Sequence, residues 1–143
     1  IVSGLFKIKN NKLKTLYLGN IYSKRDWGHA RDYVEAMWKI LQQKKPDDFV
    51  IATGKQYTVK QFVNLTCKEL DLKIKWKGKG LNEVALDKNG KAIIRIDKNY
   101  FRPAEVDSLL GDPSKAKKIL KWKPKTNLKN LIREMIASEY KNY

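Results

Sequence analysis

The chain has 143 residues, 42% of them hydrophobic, which suits one domain with its own core. A formal charge of +16 points to anionic partners, whether nucleic acid, an anionic membrane or a phosphorylated metabolite. One Cys and one His exclude an internal disulfide, a cysteine zinc cluster and a His-rich metal site, and leave a reducing, cytoplasmic setting as the expectation. No apolar run approaches the roughly 20 residues of a membrane helix. Residues 1–14 read as the end of a helix running into a Lys/Asn turn. Residues 15–20 form a short strand closed by Gly-Asn. Val34, Met37, Trp38 and Leu41 recur at i, i+3, i+4 and i+7, which predicts a helix over 30–43 with that stripe inward. The run 49–52, FVIA, is apolar on both faces and predicts a buried, parallel strand. Thr58 and Gln61 have capping-box spacing and open a second helix, with Val59, Phe62, Val63 and Leu70 as its stripe. Strands are expected over 73–77 and 91–97. Asp112-Pro113 starts a short helix that ends near Leu120. A last helix begins near Asn127 and buries Leu128, Leu131, Ile132, Met135 and Ile136.

The common catalytic signatures are missing. Gly78-Lys79-Gly80 lacks the third glycine of a dinucleotide turn. There is no P-loop, no G-x-S-x-G and no H-E-x-x-H. None of the seven tyrosines is followed four residues later by Lys, the acid–base pair of short-chain dehydrogenases.

Two compact clusters remain. The basic residues are 26 Lys and 5 Arg, so each arginine is worth locating. A guanidinium grips phosphate or carboxylate through two parallel hydrogen bonds, which an ammonium cannot do. The first cluster is KRDWGHARDY, residues 24–33. Arg25 follows a strand and turn, and Gly28 precedes a helix, an arrangement that can project Arg25 beside a helix start. Asp26 or Asp32 can orient a guanidinium there. Equally, Asp and Arg can exchange salt bridges near a helix N-terminus. His29 reads as a capping or packing residue. In the second cluster, YFRPAEVD, Pro103 holds Arg102 extended. Arg102 and Glu105 can then meet one ligand, or form a local ion pair in a rigid turn.

The segments LYLGN, KRDWGHARDYVEAMW, DDFVIATG, YFRPAEVDSLLGDPSKA and WKPK, in this order, resemble the C-terminal part of the GDP-mannose 4,6-dehydratases. These are extended short-chain dehydrogenase/reductases. The resemblance runs from about Leu16 to the end, with Ile21-Tyr22-Ser23 departing from the usual Leu-Asp-Ala. It implies an α/β fold: a C-terminal substrate-binding lobe plus the last strand and helix of a Rossmann sheet. Residues 1–28, with strand 15–20, and residues 55–143 would form the substrate lobe. Residues 29–54 would return to the Rossmann sheet. The family binds NADP in its N-terminal domain and GDP-mannose in the smaller one, and yields GDP-4-keto-6-deoxymannose, a precursor of GDP-fucose. By resemblance, Arg25 and Arg102 match arginines that grip the diphosphate, Glu105 a carboxylate near the guanosine ribose, and Leu18, Gly19 and Asn20 the strand end bordering the nucleotide. Asp26, Trp27 and His29 match the motif as residues that hold its shape.

The catalytic Thr/Ser, Glu, Tyr and Lys of the family, and its Gly-rich cofactor turn, all lie upstream of the matching region. The expectation is therefore a part of a lyase with no catalytic residue of its own, inactive alone. NADP would belong to the complete enzyme and would not be held by this chain. Partners would be GDP-mannose, the missing N-terminal half and homologous subunits, in a homo-oligomer when complete, with no membrane. If residues 29–54 face an absent half, the stripe with Trp38 should be exposed and the isolated chain prone to association. Two other readings stand beside this one. A basic nucleic-acid-binding module would need lysines gathered on one face, whereas they are scattered along the sequence. A non-catalytic remnant would associate with intact subunits through its helices.

Overall fold

The protein is described by a computed structural model that covers residues 1–101 and 108–142. The first helix, α1 (Val2–Lys9), buries Val2, Leu5, Phe6 and Ile8. It leads into strand β1 (Leu16–Leu18). A two-residue strand, β2 (Lys24–Arg25), pairs antiparallel with β3 (Tyr57–Thr58). Between them lies helix α2 (Ala30–Leu41). Helix α3 (Val59–Glu69) follows β3 and starts on the expected capping box: Gln61 N–H donates to Thr58 Oγ1 at 3.0 Å, and Thr58 N–H to Gln61 Oε1 at 2.7 Å. Three strands come next, β4 (Lys75–Lys77), β5 (Val84–Leu86) and β6 (Ala92–Ile96). Helices α4 (Ser114–Ile119) and α5 (Leu128–Lys141) complete the chain.

The sheet has the order β1-β6-β5-β4, with β1 parallel to β6 and the other pairs antiparallel. Helices α1, α3 and α5 pack together over this sheet. Phe6, Phe62, Val63, Leu70, Ile94 and Ile132 form the centre of the main core. Cys67 lies within it at 1% exposure, and burial pushes its thiol up to about 12, so it is no nucleophile. A second, smaller core joins α2 to α4 through Ala36, Ala116, Leu120 and Trp122, with Tyr33, Ile40, Phe49 and Ile51 against it.

Three expectations are corrected. The stripe Val34, Met37, Trp38 and Leu41 does not face inward as its periodicity suggested; the four side chains are 61%, 60%, 61% and 80% exposed, in line with the expectation for residues that face an absent half. Helix α2 instead turns Asp32 and Ala36 inward. Residues 49–52 form no strand. They run irregularly past Gly111, where a Cβ would sit 2.5 Å from Ala52 Cβ. Met135 is 41% exposed, although Leu128, Ile132 and Ile136 of the same helix are buried as expected. Strands β2, β3 and β5 were not foreseen.

Candidate functional site

The motif KRDWGHARDY falls on β2, a short loop and the start of α2. Its two aspartates do the same kind of work on different loops. Asp26 Oδ1 accepts from Thr53 Oγ1 at 2.6 Å and from Thr53 N–H at 3.1 Å, while Oδ2 accepts from Gly54 N–H at 2.9 Å. Asp32 Oδ2 accepts from the N–H groups of Lys125 and Thr126 at 3.0 and 2.8 Å. Burial pushes the Asp32 carboxyl upward, but the Thr126 and Lys125 donors outweigh it and hold the group below its ordinary value. These carboxylates thus fasten loops 53–54 and 125–126 to the motif.

The remaining motif residues fit around that frame. His29 is the N-cap of α2: its Nδ1 accepts from Arg31 N–H at 3.0 Å, and its Nε2 lies 3.0 Å from Glu134 Oε2. That pairing assigns the proton to Nε2. Trp27 packs on Phe62 with ring centroids 4.8 Å apart. At Gly28 a Cβ would stand 2.1 Å from the Tyr33 hydroxyl, so any larger residue would have to displace the Tyr33 ring. Only Arg25 of this motif reaches the open cleft described next.

That cleft, of about 520 Å³, is lined by Tyr17, Leu18, Gly19, Asn20, Arg25, Val59, Asn99 and Tyr100. Its size suits a small-molecule ligand. Four of the six expected site residues, Leu18, Gly19, Asn20 and Arg25, therefore meet in one place. Arg102 and Glu105 lie outside the described residues. The wall is built by the end of β1 and by the 3₁₀ turn Lys98–Tyr100 that follows β6. Leu18 C=O accepts from Asp97 N–H at 2.8 Å, which extends the β1–β6 ladder to this edge. Gly19 permits the turn to close: a Cβ there would lie 2.3 Å from Tyr100 O. Its absent side chain makes room for the protein's own backbone. Asn20 Oδ1 accepts from Tyr22 N–H at 2.9 Å and so shapes the next turn.

The floor is tied to α3. The Ser23 and Ile21 carbonyls accept from Val59 and Lys60 N–H at 3.1 and 2.8 Å, which occupies the first amides of that helix. Arg25 Nη1 donates to Lys24 O at 2.7 Å. Beside this edge, Tyr22 Oη donates to Glu83 Oε2 at 2.6 Å, and Lys60 Nζ donates to Glu83 Oε1 at 2.5 Å. Glu83 is only 2% exposed. Burial raises its carboxyl, yet the Lys60 and Tyr22 donors prevail and lower it.

Sequence reasoning missed Tyr17, Val59, Asn99 and Tyr100 as lining residues. Period-2 alternation in LYL turns Tyr17 to the face opposite Leu16 and Leu18, which signals its exposure but not its place beside Leu18 in the cleft. Val59 and Asn99 had no signal, because their place depends on how separate segments meet. As for a cofactor, β3 passes into α3 at Thr58–Val59 without a glycine, so this junction does not fit a dinucleotide phosphate. Among the described residues there is no group of three or more His, Cys, Asp or Glu that could hold a metal, and no helix long and apolar enough to cross a membrane.

Comparison with known proteins gives a consistent answer. The family model described as GDP-mannose 4,6 dehydratase matches residues 1–135. The GDP-mannose 4,6 dehydratase of Dictyostelium discoideum is 57% identical over 125 residues, covering 87% of this chain and 35% of that protein. The Homo sapiens protein of the same name is 48% identical over 134 residues, covering 93% of this chain and 36% of its own length. Among solved structures, RMD from Pseudomonas aeruginosa complexed with NADPH superimposes with a TM-score of 0.78 at 15% identity, over 99% of this chain and 41% of that one. UDP-glucose 4-epimerase from Thermotoga maritima with UDP-glucose gives 0.70 at 20% identity, over 99% of this chain and 40% of that one. The structural likenesses establish an α/β fold shared with part of such enzymes. The chain spans roughly a third of the length of these two curated relatives, and on the family match and these identities it belongs to the GDP-mannose 4,6-dehydratase family.

Proposed function

We propose that this chain is the nucleotide-sugar-binding part of a GDP-mannose 4,6-dehydratase, the enzyme that converts GDP-mannose to GDP-4-keto-6-deoxymannose. One observation carries the reading: Arg25 and the β1 end Leu18–Gly19–Asn20 line the same cleft, although one comes from strand β2 and the other from the sheet. In this reading the Arg25 guanidinium grips the diphosphate, and the β1 end borders the nucleoside. By the family resemblance, Arg102 would supply a second fork and Glu105 would accept from the ribose. A charge-assisted hydrogen bond contributes about 1.5–3 kcal/mol net, so one fork is enough to change affinity measurably.

The chemistry then belongs to residues outside this chain, and so does NADP, which would supply and take back the hydride. Residues 1–28 and 55–143 build the substrate lobe, and residues 29–54 pack on the Rossmann sheet of the remaining protein. Support for that division comes from the exposed apolar face of α2 and from the run 49–52, which pairs with no strand among the described residues. The complete enzyme would be a homo-oligomer. The test is calorimetric titration of GDP-mannose into the native polypeptide that carries these residues. Arg25→Ala should weaken binding at least tenfold, with the thermal midpoint held near native; an unchanged affinity would contradict the assignment.

A further inference from the structure

The cleft depends on Arg25, and Arg25 sits at the end of a very short strand. Strand β2 has two residues, and its ribbon with β3 makes two residue pairs, Lys24 with Thr58 and Arg25 with Tyr57. A ribbon this short is marginal by itself. On the N-terminal side the backbone is also held by a bridge between Lys24 and Ser108 and by the Ser23 carbonyl, which accepts from Val59 N–H at 3.1 Å; on the C-terminal side the hold falls to residue 26.

We infer that Asp26 and Thr53 are a positioning pair that aims Arg25 at the phosphates, without either one touching the ligand. This rests on the reading of Arg25 given above. The Asp26 carboxylate is gripped by three donors from residues 27 and 28 positions along the chain, namely Thr53 Oγ1, Thr53 N–H and Gly54 N–H. Both carboxylate oxygens are engaged, so the group cannot rotate. Thr53 Oγ1 also accepts from Lys55 N–H at 3.2 Å. Its one hydrogen has two acceptors in reach, Asp26 Oδ1 at 2.6 Å and Lys55 O at 3.4 Å, and the shorter contact to the carboxylate assigns it to Asp26. Gly54, at φ +73°, takes the chain into a left-handed turn directly after the N–H that meets the other oxygen. The clasp holds residue 26 from one side while the β2–β3 ribbon holds residues 24 and 25 from the other. Between two fixed neighbours the Arg25 side chain leaves the backbone in one direction, and a fork misaimed by even 1 Å loses much of its two-bond geometry.

A purely structural clasp would affect everything the domain binds. A positioning clasp affects only what Arg25 touches. The discriminating measurement is therefore the ratio of GDP to guanosine affinity in the native polypeptide, for Thr53→Val, Thr53→Ser, Asp26→Asn and Arg25→Ala. Thr53→Val and Asp26→Asn should each lower GDP affinity at least fivefold and leave guanosine affinity within twofold of native. Thr53→Ser, which keeps the hydroxyl, should restore GDP binding to within twofold. If Arg25→Ala lowers GDP affinity but Thr53→Val does not, the positioning role is wrong while the Arg25 assignment stands. Equal losses for GDP and guanosine, or a Thr53→Ser variant as poor as Thr53→Val, also overturn it. If Arg25→Ala changes nothing, the binding reading itself fails and the inference with it. Should Asp26→Asn not fold, the Val/Ser pair at residue 53 decides alone.

Discussion

The indole N–H of Trp122 donates to the backbone carbonyl of Asp32 at 2.8 Å, across 90 positions of sequence. The same aspartate receives the N–H groups of Lys125 and Thr126 on its side chain. One residue at the first turn of α2 thereby organises the whole connection between α4 and α5. Trp122 is 1% exposed and Asp32 4%, so water cannot substitute for these contacts. Removing the carboxylate strands two backbone donors, each costing about 1–3 kcal/mol when left unpaired. Asp32→Ala should therefore destabilise by about 3 kcal/mol in urea unfolding, and Asp32→Asn, which keeps one acceptor oxygen, by about 1 kcal/mol. An alanine variant within about 0.5 kcal/mol of native would mean that the clasp contributes little.

Glu83 gives a pH dependence with a definite sign. Its folded carboxyl lies below the ordinary glutamate value, which is about 4.3 in the unfolded chain. A depressed value means that stability is present above the unfolded pKa and is lost as pH falls through the folded one. Asp32 acts in the same direction. The thermal midpoint should hold near neutrality and drop as pH is lowered below about 4.5. Glu83→Gln should start lower at pH 7, because Lys60 loses its anion, and should then fall less steeply. Parallel melting profiles for the two proteins would show that Glu83 does not carry the effect.

Gly19 is a packing position more than a gap for ligand. An added Cβ meets Tyr100 O at 2.3 Å and Tyr100 C at 2.8 Å, and both are backbone atoms that can yield only if the 3₁₀ turn shifts. Gly19→Ala should lower the melting midpoint by several degrees, roughly the effect of 1–3 kcal/mol of overpacking. Tyr100→Ala, which keeps the carbonyl in place, should leave the midpoint near native, since that ring is 60% exposed. Equal midpoints for Gly19→Ala and the native chain would mean that the turn closes without need of the glycine.

How much of this was legible in the sequence depends on the kind of partner each residue has. The capping box of Thr58 and Gln61 and the inward Leu128, Ile132 and Ile136 of α5 were readable, because both partners carry a residue-type signature at fixed spacing. Asp32 resisted reading because its side-chain partners are backbone N–H groups 93 and 94 positions away, which any residue supplies, and Asp26 because its partners, the Thr53 hydroxyl and two backbone N–H groups, stand 27 and 28 positions away at no fixed spacing. Periodicity in α2 announced an apolar face without saying what covers it. Strand β5 (Val84–Leu86) and the β2–β3 ribbon are shorter than any pattern window. The cleft was half readable: the β1 end and Arg25 stand in family segments, whereas Val59 and Asn99 arrive through tertiary packing alone.

The exposed face of α2 supplies the last prediction. Val34, Met37, Trp38 and Leu41 form a continuous apolar stripe facing outward, on a helix whose other side is anchored through Ala36. Monomeric domains rarely present such a stripe. In the 143-residue chain alone these side chains are 60–80% exposed, so replacing them should cost less than about 0.5 kcal/mol. Met37→Lys with Trp38→Lys should reduce self-association in sedimentation velocity and leave the melting midpoint unchanged. In a polypeptide that also supplies the remaining two thirds of a dehydratase, the same pair should destabilise by several kcal/mol, because burying a lysine without a partner is costly. A loss of stability in the short chain would show that the stripe is already covered within it. Equal tolerance in both polypeptides would show that this face meets solvent in the complete enzyme, and residues 29–54 would then have no claim on a Rossmann sheet.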